Sequence, residues 1–444
     1  MLSKLELHKL GGQVVKSMLI GRRPNREGIA RAKTHFRGAE AFFKNFNGRT
    51  MSLKELQSHG LSAKLVEKFC DPDYGPLFSK SGRKWLVRGD IGESVRLRYH
   101  PGNWPLAREI ILAAARRGAH VAHTSGSSGF DRELLLATPT AALEDFTRMG
   151  KATLKTVDVT IYLENEDDPE WKKGMPRGKL SAGQAAAQKA HEILDSRGVK
   201  WLYIGWPFAL TARRFGVSAS WYEKMLFDSL RESFSARTRR LVAFYFNALN
   251  KGSKVRIVHN DGTDLSFSIK GRPGLKDVGC ITQEELDAGD TGLNIPSGEA
   301  FIAPIEGSAE GVIKFGKILA IGHGFVENLQ LHFHKGRVER YSASRNEKYF
   351  AEYLEENTPS TRMLAELGIG CNHGAKYCGY ILTDEKIAGT IHLAIGNNTG
   401  SYHGRNKASG HLDMVKDMKG GVMLFDGKAV MKDGKPCWQK TAAG

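Results

Sequence analysis

Seven residues between 299 and 413 carry the chemistry most plainly: Glu299, Glu366, Glu385, His392, Tyr402, His411 and Asp413. They sit in PSGEAFIAP, AELGIGCNHGA, DEKIAGTIHLAIG and SGHLDM, plus the loop between the last two. These stretches are glycine-rich and strand-like. His411 and Asp413 are two residues apart, so an extended chain points both side chains to one face. His392 lies in Thr390–Ile391–His392–Leu393–Ala394, and a histidine buried in such a run needs a partner. Taken singly, a hydrogen-bonded core histidine accounts for it. Glu299 and Glu366 flank apolar strands, where a carboxylate is costly unless paired or coordinated. As cap or surface residues they would be ordinary. Together, two imidazoles, one aspartate and two glutamates suit two zinc-like divalent ions with one carboxylate bridging. Cobalt or manganese fits the same donors.

Two further positions suit the steps of a hydrolysis. Glu385, seven residues before His392, is placed to take a proton from metal-activated water. Its neighbours Asp384 and Lys386 read as an exposed pair. Tyr402, in Gly400–Ser401–Tyr402–His403–Gly404, offers a hydroxyl to a metal or a tetrahedral oxyanion. His403 competes for that role. His323, His332 and His334 form a second histidine group with fewer carboxylates nearby, and read as sheet-surface or interface residues. No Gly-x-Ser-x-Gly elbow and no HExxH helix is present, which disfavours serine-hydrolase and simple zincin chemistry. SGSSGFD (125–131) matches neither phosphate-cradling glycine pattern.

Around these residues, the 444-residue chain is 41% hydrophobic and 25% charged, the make-up of a folded protein with more than one core. No apolar run approaches the roughly 20 residues needed to cross a bilayer. The N-terminal stretch lacks a signal peptide's apolar core and cleavage site, so a cytoplasmic protein is expected. Five cysteines are too few and too scattered for a disulfide framework; Cys371 and Cys378 read as buried or free thiols. The formal charge is +17, and residues 1–80 hold 15 basic against 7 acidic residues. Such charge can attract nucleic acid. No recognised nucleic-acid motif accompanies it, so neither nucleic acid nor membrane is expected as a partner.

The elements that must position the site divide the chain in three. Residues 1–80 read as a basic helical extension, its first helix broken at Gly11–Gly12. Residues 81–250 alternate strands such as VDVTIYLEN and VKWLYIGWP with helices such as SAGQAAAQKAHEILDSR. That is the pattern of a three-layer α/β domain with a mainly parallel sheet. A helical tract at 218–249 closes it. Residues 251–444 show strand pairs with Asp-Gly and Gly turns, a β-rich α+β metal-binding domain.

The segment from Pro296 to Asp413 resembles the M29 family of metallo-aminopeptidases, the thermophilic aminopeptidase T group. PSGEAFIAP is similar to that family's first metal-carboxylate motif, marking Glu299. AELGIGCN is similar to its second, marking Glu366 as the bridging ligand. DEKIAGTIHLAIG resembles the segment with the catalytic glutamate and a ligand histidine, here Glu385 and His392. SGHLDM resembles the final pair, His411 and Asp413, and Tyr402 best matches the family tyrosine. The Glu385–His392 spacing is longer than in typical members, and the tyrosine falls a few residues later. The resemblance is weaker over 85–250 and finds no counterpart for the first 75 residues. It implies removal of N-terminal residues from short peptides, or hydrolysis of a small amide, by a homodimer with an enclosed site. Glu299 or a nearby carboxylate would also hold the free α-amine. An iron-dependent ring-cleaving dioxygenase acting on 2,5-dihydroxypyridine is similar to the same family. That alternative implies a single Fe(II) on His392, His411 and Asp413.

Overall fold

A computed structural model describes residues 2–71, 77–144 and 146–438. The fold is mixed α/β. Its first sheet is parallel, in the order Gly292–Ile295, Lys200–Ile204, Val159–Leu163, Ser94–Tyr99, His120–Ser125. Alternate residues Val95, Leu97, Val159, Ile161, Leu163, Leu202 and Ile204 point to one face. There they meet Leu10, Val14 and Val15 of the helix Lys4–Ser17, and Leu106 and Ile110 of Trp104–Arg116. The expected break at Gly11–Gly12 does not occur. A Cβ on Gly11 would lie 2.7 Å from Cβ of Glu109, so the glycine lets two helices approach rather than ending one. The other face carries Thr160, Tyr162, Trp201 and Tyr203, and borders a cavity of about 1440 Å3 under the helix Arg177–Ser196. The 218–249 tract is two helices, Ala219–Glu232 and Ala236–Lys251. Ser235 separates them, because its hydroxyl accepts from the Thr238 amide and starts the second.

The strand Gly292–Ile295 is an edge of this parallel sheet, and four residues after its end the chain reaches Glu299. Glu299 begins a strand of a second, antiparallel sheet. Its order is Leu275–Asp277, Glu299–Ile302, Leu364–Gly370, Thr390–Gly396, His411–Asp417. Leu367, Ile369, Ile391, Leu393, Ile395, Leu412 and Met414 all point to one face. They share a core with an eight-stranded antiparallel sheet that includes the long strands Glu310–Ala320 and Gly324–His334. Hydrophobic burial therefore fixes the register of the smaller sheet, because a one-residue slip would turn this apolar set away from the core. Everything on the opposite face is placed by the same constraint.

Residues 25–89 form a separate unit. The short strands Arg22–Pro24 and Asp90–Gly92 pair antiparallel, so the chain enters and leaves the unit through one neck. Inside are the helices Arg26–Lys33, Ala39–Phe46, Leu53–Ser58 and Ala63–Lys68, and the strands Thr50–Ser52, Phe78–Ser81 and Lys84–Val87. Phe42, Phe43, Leu56, Leu61, Val66, Phe69, Phe78 and Val87 build a core that, among the described residues, has no member from the rest of the chain. Among the described residues no helix is long and apolar enough to cross a membrane.

Candidate metal centre

The cross-strand register of the five-stranded sheet gathers the acidic and imidazole side chains. Glu299 pairs with Gly370, His392 with Gly368, Glu366 and Asp413 with Ala394 on either side, and His411 with Gly396. Paired residues share a face, so Glu299, Glu366, His392, His411 and Asp413 all point away from the apolar core. On one side each of them faces glycine or alanine. The reason is spatial: a Cβ on Gly368 would lie 1.9 Å from Nε2 of His392. The imidazole lies across that bare backbone and reaches the carboxylates beyond it.

His392 Nε2 is 3.4 Å from Glu366 Oε1 and 3.6 Å from Glu299 Oε2. His411 Nε2 is 3.3 Å from Glu366 Oε2 and 3.4 Å from Asp413 Oδ1. Charge-assisted hydrogen bonds are shorter, about 2.7–2.9 Å. Ligand atoms at about 2.0–2.2 Å from a tetrahedral cation stand about 3.3–3.6 Å apart, which is the spacing seen. His411 Nδ1 is 2.7 Å from the Asn397 carbonyl, an acceptor only, so Nδ1 carries a proton and donates it there. That turns the Nε2 lone pair towards the carboxylates, as the partner of a metal-binding histidine does. Glu299 Oε2, His411 Nε2 and Asp413 Oδ1 are buried without a hydrogen-bond partner. Two donor groups result, Glu299–Glu385–His392 and Glu366–His392–Asp413, each within 4.8 Å. These residues fit divalent metal.

The electrostatics agree. Burial pushes the Glu299 carboxyl up to about 8 against the pull of Lys386. Burial also opposes ionisation of Glu366, but the adjacent His392 and His411 imidazoles outweigh it and hold that carboxyl at about 2. Burial disfavours charge on His392, yet Glu366 and Glu299 raise it to about 9; His411 is raised well above its ordinary range, by Asp413 first, against the same opposition. The carboxylates thus demand positive charge between them, and divalent cations meet that demand without protonating the imidazoles.

Glu385 lies beside the cluster, after the single turn Ile381–Asp384. The exposed Asp384–Lys386 pair of the sequence reading is not found. Asp384 is buried and accepts from the Cys378 and Gly379 amides at 2.9 and 2.7 Å. Lys386 is 1% exposed, with Nζ 2.5 Å from Glu299 and 2.7 Å from Glu385. The adjacency in Asp384–Glu385–Lys386 was the available signal, but alternation of charges there looked like surface. Asp277, register partner of Glu299, was also missed; burial pushes it up to about 7 against the pull of Lys386. The Tyr402 ring stacks on His411 with centroids 5.2 Å apart, and meets Phe301 edge-on at 5.9 Å. His403 is exposed. His323 sits between Glu352 and Glu356, and His334 beside Glu310, apart from the cluster. Cys371 and Cys378 are buried free thiols.

Comparison with known proteins matches this arrangement to a family. The profile of the thermophilic metalloprotease (M29) family matches residues 87–435. Aminopeptidase AmpS of Bacillus subtilis (strain 168) is 22% identical over 234 residues, 49% of this chain and 54% of the relative. The chain thus spans about half the length of that curated relative. Among solved structures, wild-type AmpT from Thermus thermophilus is similar, with a TM-score of 0.62 and 20% identity over 78% of this chain and 95% of that one. The 2,5-dihydroxypyridine dioxygenase of Pseudomonas putida KT2440 has a TM-score of 0.52 and 16% identity over 78% of this chain and 92% of its own. At these identities the two structures establish the fold. The profile match spans most of the chain and takes in every residue of the cluster, and the chain belongs to the M29 family of thermophilic metalloproteases.

Proposed function

We propose that the chain is a metal-dependent aminopeptidase that removes N-terminal residues from short peptides. The observation that carries this reading is Glu366, whose two oxygens face two different imidazoles, His392 and His411. Glu299, Glu366, His392, His411 and Asp413 would hold two divalent ions, with Glu366 shared between them. Zinc is the first choice for these donors, with cobalt or manganese also compatible. Bound divalent ions supply Lewis acidity, which polarises a peptide carbonyl and acidifies water. Glu385, beside the cluster and held by Lys386, takes the proton of the attacking water and returns it to the leaving amine. Tyr402, fixed against His411 and Phe301, directs its hydroxyl to the developing oxyanion. Glu299 Oε2, which has no partner, is placed to hold the free α-ammonium or a metal.

Glu299 and Glu366 both lie inside the cluster, which supports two-ion hydrolysis over a single Fe(II) on His392, His411 and Asp413. The family resemblance also supports a homodimer, to be checked by solution mass; the cytoplasmic location expected from the sequence is to be checked by fractionation. The deciding experiment is metal analysis of purified protein with turnover of aminoacyl-p-nitroanilides after reloading. Two zinc-, cobalt- or manganese-like ions per chain and rapid release of the first residue are expected. One oxygen-sensitive iron per chain, with no release, would replace this reading by the dioxygenase. Two ions without turnover on a broad panel would point to a specialised amide hydrolase.

A further inference from the structure

The unit at 25–89 stands apart from the metal centre, and the family match begins only at residue 87. Its helices Leu53–Ser58 and Ala63–Lys68 are joined by the four residues His59–Gly60–Leu61–Ser62. Each has a local cause. Ser52 and Glu55 form a capping box that starts the first helix. Gly60, at φ +85°, ends it in the left-handed region. Leu61 is buried and anchors the turn, and the Ser62 hydroxyl accepts from the Leu65 amide at 3.2 Å to start the second helix. Leu56 and Val66 turn inward, while Ser62, Lys64, Glu67 and Lys68 are exposed. Two short helices joined by a tight glycine-containing turn have the succession of a helix-turn-helix, a motif whose second helix enters the major groove of DNA.

The strands around the helix pair strengthen the assignment. The hairpin Phe78–Ser81 and Lys84–Val87 pairs through its second strand with Thr50–Ser52, the strand that precedes the helix pair. After the helix Arg26–Lys33, the remaining helix, strand, two helices and hairpin, with the strands paired in that order, have the succession of a winged helix. The hairpin turns at Gly82, φ +61°, and presents Arg83 and Lys84 to solvent. Residues 22–88 hold 15 Lys and Arg against 6 Asp and Glu. Lys54, Lys64, Lys68, Lys80, Arg83 and Lys84 are all exposed. Charge alone fits any polyanion, but single-strand binders offer exposed aromatic platforms to bases. Here Phe42, Phe43, Phe69 and Phe78 are spent in the core. Sequence reading set nucleic acid aside because no motif accompanied the charge; the fold supplies the motif.

We propose that this unit binds double-stranded DNA, with Ala63–Lys68 in the major groove and the Gly82–Lys84 hairpin tip on the adjoining phosphates. The test uses the full chain and fluorescence anisotropy on a labelled random-sequence duplex about three helical turns long, from about 50 to about 200 mM salt. Expected are tighter binding of duplex than of the corresponding single-stranded DNA or RNA, and a linear fall of log K with log salt. The triple variant Lys64→Glu, Arg83→Glu, Lys84→Glu should bind about 10²-fold more weakly, with a slope shallower by about 0.9 for each phosphate no longer neutralised. A control reversing the exposed Lys419, Lys428 and Lys432 elsewhere on the surface should change affinity less than about threefold. If the triple variant fails to fold by circular dichroism, Arg83→Ala alone, expected to reduce the slope by about 1, replaces it. Single strands bound as tightly as duplex, no duplex binding at the lowest salt, or an equal loss in the control would each overturn the proposal.

Discussion

Two buried carboxylates, Glu164 and Glu366, occupy opposite ends of what burial can mean. Glu164, just beyond the parallel strand Val159–Leu163, is closed. Its Oε1 accepts from the Glu166 amide at 3.0 Å, and its Oε2 from the hydroxyls of Tyr203 and, at 2.8 Å, Tyr380. Glu366, within the antiparallel strand Leu364–Gly370, is ringed by groups whose own needs are unmet: His411 Nε2, Asp413 Oδ1 and Glu299 Oε2. Both carboxylates are buried, at 7% and 3% exposure. Only the second has more acceptors and lone pairs than its donors can satisfy. Unsatisfied, converging polar atoms mark the functional site; burial of a charge by itself does not. The two are also joined, since Tyr380 precedes the turn Ile381–Asp384 that carries Glu385.

The contrast can be broken at graded strength. His411→Ala or Asp413→Ala should take peptide turnover down by about 10³-fold or more and lower the bound metal per chain. Retention of full metal content by either variant would remove the basis of the comparison. Glu385→Gln should keep the metal and lower kcat by about 10²- to 10⁴-fold with little change in KM. Tyr402→Phe should cost about 10²-fold in kcat, again at full metal content. Glu164→Gln should leave metal content unaltered and act on stability alone. Burial, against the donors on its oxygens, raises the Glu164 carboxyl above its ordinary value. Its contribution to stability is therefore present below the unfolded-state value and is lost as pH rises through the folded-state value. Glutamine does not ionise, so Tm of the variant relative to the parent should climb across that window, measured by calorimetry at stepped pH. A flat difference would show that Glu164 behaves as an ordinary surface acid.

The grouping of the candidate metal-binding residues on one sheet face was legible because it is encoded twice. His411 and Asp413 share strand parity, and the intervening apolar residues fix which face is buried. The parallel sheet was legible from strand–helix alternation alone. Other features depend on contacts between distant segments. Lys386 looks like solvent-facing charge beside Asp384 and Glu385, and only the fold brings Glu299 to it. Gly11 looks like a helix breaker until Glu109 is packed on it. Gly368 looks like one more glycine among many until the His392 ring lies over it. In SLKELQSHGLSAKLVEKF the amphipathic helices were legible, but not the tight turn that joins them, which Gly60 and the buried Leu61 make.

The neck at Arg22–Pro24 and Asp90–Gly92 bears on how such a chain can be rearranged. Pro24 and Asp90 are register partners, so the two ends of the unit lie about 5 Å apart. Removing everything between them leaves a gap that a few residues can close, and joining ends so near each other costs little chain entropy. The unit is in this sense a cassette. Its excision, or exchange for another small fold with adjacent termini, should leave the path of the strands that carry the candidate metal cluster unaltered.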